Sequence, residues 1–282
     1  MYLEVNGARL FFDTVGSALA IDGERMGERP TLVVLHGGPG FDHSLMRPYF
    51  DRFADTYQVV YLDHRGNGRS GGERETWRLT QWGDDIAAFC DALGIVKPMV
   101  LGLSFGGMVA MAYATRHPGH ASKLILSSTA AKLDLEATYA VMERLGGEHA
   151  AEIARVFWTD PSPETAEEYM AVCMPLYNPG DDPAFAQARA RAVTRFEVMF
   201  DFIQSEQRTM DFVADLAKIA CPTLVLAGSR DPITPVACSR AIFDALPAGV
   251  GRLEVFEASG HGVQRDEPDR AEAVLRQFLA ER

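Results

Sequence analysis

Short apolar runs punctuated by turn residues alternate along this chain with longer stretches in which apolar positions recur at helical spacing. Thr31–Leu35, Gln58–Leu62, Met99–Leu101, Lys123–Ser127 and Thr223–Leu226 are largely aliphatic or β-branched, without polar alternation. A strand with one wet face alternates, so these runs predict strands covered on both faces. Arg252–Phe256 reads as a further strand. Leu3–Val5 and Arg9–Val15, joined by the turn Asn6-Gly7-Ala8, read as an antiparallel edge. Helical patterns fall between the strands at Thr80–Leu93, Phe105–His117, Pro235–Leu246 and Asp269–Ala280. In the last of these, Ala273, Val274, Phe278 and Leu279 share one face. The alternation predicts an α/β architecture, a mostly parallel eight-stranded sheet with helices on both faces.

One interruption breaks the rhythm. From Lys132 to about Phe212 there are helical patterns (Leu135–Leu145, Ala150–Phe157, Pro163–Cys173 and Pro183–Gln207) and no strand pattern. The reading is a core built from residues 1–131 and 213–282, with residues 132–212 inserted as a helical cap. The insertion holds 15 acidic and 7 basic residues, so it carries −8 of the chain's net charge of −12.

That charge argues against nucleic acid and against anionic membrane surfaces, both of which need a basic footprint. No apolar run has the length of a bilayer span. The first residues, MYLEVNG, lack the basic segment and apolar core of a signal peptide. Cys90, Cys173, Cys221 and Cys238 are scattered with no C-x-x-C pair. They suggest neither a zinc site nor a disulfide framework, and a reducing, cytoplasmic location is the expectation.

Candidate chemistry starts at Pro98–Gly107, PMVLGLSFGG. An apolar strand runs into Gly102-Leu103-Ser104-Phe105-Gly106 and a helix follows at once, which gives G-x-S-x-G the strand–turn–helix context of a nucleophilic serine. A serine hydroxyl needs a base, and the base needs an orienting group. TLVLAGSRDP places Asp231 just past one strand, and LEVFEASGHG places His261 just past the next. Asp244, Asp266 and Asp269 lie in or near helices and are worse placed for the orienting role. Acyl transfer through a serine also creates an oxyanion that needs two backbone N–H donors. Phe105, after the nucleophile, supplies one. His36-Gly37-Gly38-Pro39-Gly40, after Thr31–Leu35, supplies the other from Gly38, with Gly37 as the substitute. His36 itself reads as a structural residue tying loops together.

With these residues the whole chain resembles an α/β-hydrolase. HGGPG at 36–40, together with Asp63-His64-Arg65-Gly66-Asn67-Gly68-Arg69-Ser70, is similar to the proline iminopeptidase branch and its relatives that cut amides, esters or lactones. The 63–70 stretch reads as structural, its glycines shaping a turn and its arginines pinning loops. That branch typically has Gly-Gly-Ser-Trp-Gly around the nucleophile, whereas Gly102–Gly106 here is nearer to general esterases. The resemblance implies a serine hydrolase with a Ser104–His261–Asp231 triad, needing no metal or organic cofactor. The substrate it implies is an N-terminal proline or small residue on a peptide or amide, with an ester or lactone as the alternative. A receptor-like relative that keeps the triad but turns over slowly is a more distant alternative. Branch members use cap carboxylates to hold the substrate's amino group, and Glu197, Asp201 and Glu206 are the candidates here, with Gly37 also expected at the substrate.

Overall fold

The computed structural model describes residues 1–180 and 182–281. Its main sheet has eight strands in the order β1 (Tyr2–Val5), β2 (Ala8–Val15), β6 (Gln58–Leu62), β5 (Thr31–Leu35), β7 (Met99–Leu103), β8 (Lys123–Ser127), β9 (Thr223–Gly228) and β10 (Gly251–Phe256). β1–β2 and β2–β6 pair antiparallel, and every pairing from β6 to β10 is parallel. The eight expected strands therefore form. Two short strands, β3 (Leu19–Asp22) and β4 (Arg25–Glu28), form a separate hairpin that the hydrophobic pattern did not announce.

Helices cover both faces. α1 (Leu79–Ala92), α2 (Phe105–Arg116) and α8 (Val236–Ala245) bury Trp82, Phe89, Met111 and Ile242 against one face. α10 (Pro268–Ala280) and the 3-10 turns His43–Met46 and Tyr49–Asp55 bury Leu275, Phe278, Phe50 and Phe53 against the other. Between β8 and β9 lie α3 (Leu135–Thr159), α4 (Pro163–Val172), α5 (Pro183–Arg191), α6 (Phe196–Gln204) and α7 (Glu206–Thr209). Local signals set their ends. Asp134 caps α3, Ser162 and Thr165 form a capping box at α4 with Pro163 at its first position, and Asp182 caps α5. Gly147, at φ +77°, interrupts α3 between the two segments expected there. α3, α4 and α6 share a third apolar cluster with Phe41 and Ile233 from the loops after β5 and β9. No described helix is long and apolar enough to cross a membrane.

The chain runs from β5 outward to β6 and then crosses back to β7 on β5's other side. Such a reversal opens a crevice at the carboxyl ends of the two strands. Ser104 and the glycine-rich loop 36–40 both lie there.

Candidate active site

The turn after β7 forces Ser104 into a backbone conformation that L residues rarely adopt, φ +55° and ψ −119°. The surroundings hold it there. Ser104 N donates to Ser127 O at 2.9 Å, and Thr129 Oγ1 donates to Ser104 O at 2.7 Å. The flanking glycines permit the close packing of strand, turn and helix. A Cβ on Gly102 would lie 2.2 Å from the Gly106 carbonyl oxygen, and one on Gly106 would lie 2.3 Å from that of Leu35. The Ser104 hydroxyl consequently stands at the amino end of α2, where the helix dipole favours negative charge.

His261 Nε2 lies 2.9 Å from Ser104 Oγ. Its Nδ1 lies 2.9 Å from each carboxylate oxygen of Asp231. Asp231 is buried and further fixed by Ile233 N at 2.8 Å, Thr234 N at 3.0 Å and Thr234 Oγ1 at 2.9 Å. Side chains more than 150 residues apart in sequence thus form one hydrogen-bonded chain. Beside it, Gly38 adopts φ +128° and lines the same cavity as Ser104. Among the described residues, no backbone acceptor pairs with the N–H of Gly38 or of Phe105. Gly37 also lines the cavity, 3.4 Å separating its would-be Cβ from that of Ser104.

The loops behind the site are tied by the 63–70 stretch. Asn67 Oδ1 accepts from Gly40 N at 2.6 Å, and Arg195, just before α6, donates from its N to Gly40 O and from Nε to Gly68 O. Arg65 makes a two-pronged ion pair with Asp85 of α1, both 2% exposed. His36 Nε2 accepts from His64 N, which leaves Nδ1–H to donate to Gly37 O at 2.7 Å. Burial holds both His36 and His64 below the ordinary histidine range, the neighbouring imidazole adding to the effect on His64.

A cavity of about 130 Å³ opens over Ser104. Its walls come from loop 36–41, from β7 and α2, and above all from the helices between β8 and β9, with Phe157, Trp158, Tyr169, Met170 and Met199 among them. The lining is apolar apart from a few groups. Among the described residues the only Asp, Glu, Lys or Arg in it is Arg265.

The three insertion carboxylates expected at the substrate stand away from this cavity. Glu197 is exposed, and none of the three lines the cavity. Asp201 accepts from Arg74 Nε at 2.7 Å and lies 3.7 Å from Arg78. Glu206 accepts from Leu79 N at 2.8 Å, at the amino end of α1. A carboxylate there meets free N–H groups and the positive end of the helix dipole, so these acids fasten α6 and α7 to the core.

Sequence reasoning missed several lining residues. Trp158 Nε1 donates to Tyr169 Oη at 3.2 Å, and Tyr169 and Tyr177 join hydroxyls at 2.7 Å. The Tyr177 ring meets that of His261 edge-on at 5.3 Å, and Tyr177 O accepts from His261 N at 2.7 Å. Gln207 is buried in the wall, its Oε1 without a partner among the described residues. Aromatics and amides inside an amphipathic insertion read as core or surface, so only tertiary structure brings them here. Arg265 had one signal, its place one helical turn after His261.

Asp42, His43 and Asp63 form the one group of described residues close enough to share a metal ion. Their atoms are already engaged. Asp63 accepts from His43 Nδ1 at 2.7 Å and from the N–H of His43 and Arg69, and Asp42 pairs with Arg69 and Val193 N.

Against known proteins, residues 28–268 match the model of the serine aminopeptidase family S33. Relatives include the proline iminopeptidase PfmaB of Pestalotiopsis fici, 29% identical with 99% of this chain and 98% of that one covered. The putative carbamate hydrolase RutD of Caulobacter sp. (strain K31) is 27% identical over 88% of this chain and 90% of its own. In three dimensions an esterase from Exiguobacterium antarcticum superposes with a TM-score of 0.74 at 21% identity, covering 99% of both chains. The eight-stranded sheet with its helical faces is therefore an α/β-hydrolase fold, and the chain belongs to the S33 serine aminopeptidase family of hydrolases.

Proposed function

We propose that this protein is a serine hydrolase of small carboxylic esters or lactones, with residues 132–212 acting as a cap that shapes the acyl site. Ser104 Oγ attacks the substrate carbonyl as its proton passes to His261 Nε2. Asp231 holds the imidazole in the tautomer that can accept that proton and stabilises the imidazolium. The N–H groups of Gly38 and Phe105 bind the oxyanion. Collapse breaks the bond from carbonyl carbon to leaving oxygen, and His261 returns the proton to the departing alcohol. Water, deprotonated by the same His261, then cleaves the acyl-enzyme to release the acid and regenerate Ser104.

The observation that carries the ester reading is the charge of the cavity wall. It is apolar and aromatic, and its one permanently charged side chain among the described residues is the cation Arg265. An aminopeptidase must desolvate its substrate's ammonium, which costs several kcal/mol unless a carboxylate receives it. The aminopeptidase reading has the HGGPG stretch and the similarity to proline iminopeptidases in its favour, and it stands second.

The test is a parallel assay of wild-type protein and Ser104→Ala with 4-nitrophenyl esters of two to eight carbons and with prolyl and alanyl 4-nitroanilides. The expected result is ester turnover that falls at least about 10⁴-fold in the variant, with anilides cleaved far more slowly. Fast Ser104-dependent release from prolyl anilide, abolished by blocking its amino group, would replace this reading with the second one.

A further inference from the structure

We infer that Arg265 is a substrate-recognition residue and that the preferred substrate carries a carboxylate within reach of its guanidinium. The inference deepens the ester and lactone reading and rests on it. Arg265 is displayed by α9 (Val263–Asp266), the single helical turn that follows His261, and its N–H bonds back to Gly262 O at 2.9 Å. Base and guanidinium are therefore one short rigid unit, both facing the cavity over Ser104.

The guanidinium is held in place. Nη1 donates to Asn178 Oδ1 at 2.7 Å, and the guanidinium carbon lies 3.5 Å from the centre of the Phe185 ring. Asn178 is itself fixed by donating to Asp266 Oδ2 at 2.7 Å. Its charge, however, is poorly answered. Nε is buried with no hydrogen-bond partner among the described residues. The nearest oxygen of Asp182 is 3.8 Å from Nε, and the other oxygen of that carboxylate caps α5 through Ala184 N and Phe185 N. Burial is the larger influence on this guanidinium, pulling its pKa down despite Asp266 and Asp182. A cation held by a neutral amide and an aromatic face, with its one ion pair among the described residues stretched to 3.8 Å, is a receptor for an incoming carboxylate.

Position supports the same reading. Leu45, Phe185, Gln264 and Arg265 line both the cavity and an outer cleft, so Arg265 stands in the wall between them. The other arginines of that cleft are matched, Arg47 by Asp13 and Asp51 and Arg52 by Glu272. On a chain with a net charge of −12, an anionic substrate would need such a local cation to enter.

Two charge pairs test this. Mono-4-nitrophenyl glutarate is compared with 4-nitrophenyl pentanoate, and 4-butyryloxybenzoate with its methyl ester. These place the carboxylate on the acyl half or on the leaving half. The wild type is expected to favour the anion in at least one pair by tenfold or more in kcat/KM, chiefly through KM. Arg265→Gln should lower that ratio at least tenfold, and Arg265→Lys should restore part of it. Equal ratios in wild type and Arg265→Gln, or no anion preference in either pair, would overturn the inference while leaving ester hydrolysis intact. A measurement without turnover separates the two readings. Glutarate binding to folded Ser104→Ala should weaken at least tenfold when Arg265→Gln is added, whereas glutaramide should bind neither protein measurably. If no ester is cleaved but this binding is seen, the ester reading fails and the carboxylate receptor stands. If neither glutarate nor 4-hydroxybenzoate, the carboxylate product of the second pair, binds to Ser104→Ala, the receptor fails.

Discussion

Asp231 has no free orientation. Its oxygens accept from Ile233 N, Thr234 N and Thr234 Oγ1 while both stand 2.9 Å from His261 Nδ1. In Asp231→Asn the backbone donors would retain the carbonyl oxygen at the Oδ1 position, and the amide NH₂ would turn towards Nδ1. His261 would then carry its proton on Nε2 and could not accept one from Ser104. The expected loss in kcat is about 10⁴-fold with little change in the far-ultraviolet circular dichroism spectrum. A loss below about 100-fold would assign the orienting role to another acid, Asp266 being one rival because it accepts at 2.8 Å from the N–H of Gly260, the residue before His261. At this scale the three residues were legible because each follows a recognisable strand in the chain order of the fold. The insertion carboxylates were not. Helical periodicity tells which residues share a face, but the direction of that face depends on ion pairs such as Asp201–Arg74 made with distant segments.

Elements were legible where burial leaves a repeated mark. The eight main strands are apolar runs because helices cover both faces, whereas β3 and β4 lie outside the main sheet, with every residue of β4 exposed. Nothing in such a hairpin needs a hydrophobic pattern. Pro183–Gln207 reads as one helix and is broken into α5, α6 and α7, and between α5 and α6 Arg195 N and Nε bond to the carbonyls of Gly40 and Gly68 instead of continuing the helix. The same stretch of core loops depends on the Arg65–Asp85 pair, which joins the turn after β6 to α1. Asp85→Ala would leave a guanidinium 2% exposed with no carboxylate, at a cost of about 3–5 kcal/mol. The melting temperature should fall by on the order of 10 °C. The double variant Asp85→Leu/Arg65→Met should recover much of the loss, because it removes the stranded charge. A drop no smaller in the double variant would mean that the pair's geometry, rather than its charge balance, holds the loop.

Over the whole molecule two effects of acid oppose each other. Protonating surface carboxylates reduces the self-repulsion of a chain with a net charge of −12, which favours the folded state as pH falls. His36 and His64 act the other way. Burial keeps both below their ordinary value of 6.5 in the folded protein, His64 well below. Above that value folded and unfolded chains are both neutral at these positions and no stability depends on them. Below it the unfolded chain binds protons that the folded chain refuses, so stability falls with pH until the folded values are reached. Each histidine contributes up to about 1.4 kcal/mol per pH unit in that window, and the two together up to about 2.7. Asp63, held below the usual carboxylate value of 3.8 by His43 and His36 despite its burial, loses its contribution only at lower pH and does not enter here. Between pH 6.5 and 5 few surface carboxylates titrate, so the histidines win and the protein should lose stability to urea across that interval. Unfolding midpoints at half-unit steps of pH would measure the slope. His64→Asn, which keeps an amide in place of the ring without a titrating proton, should cut it by about half. A curve that is flat or rises from pH 6.5 to 5 would mean that both imidazoles accept protons in the folded state, in which case the bond from His64 N to His36 Nε2 must open in acid and the loop behind Gly37 with it.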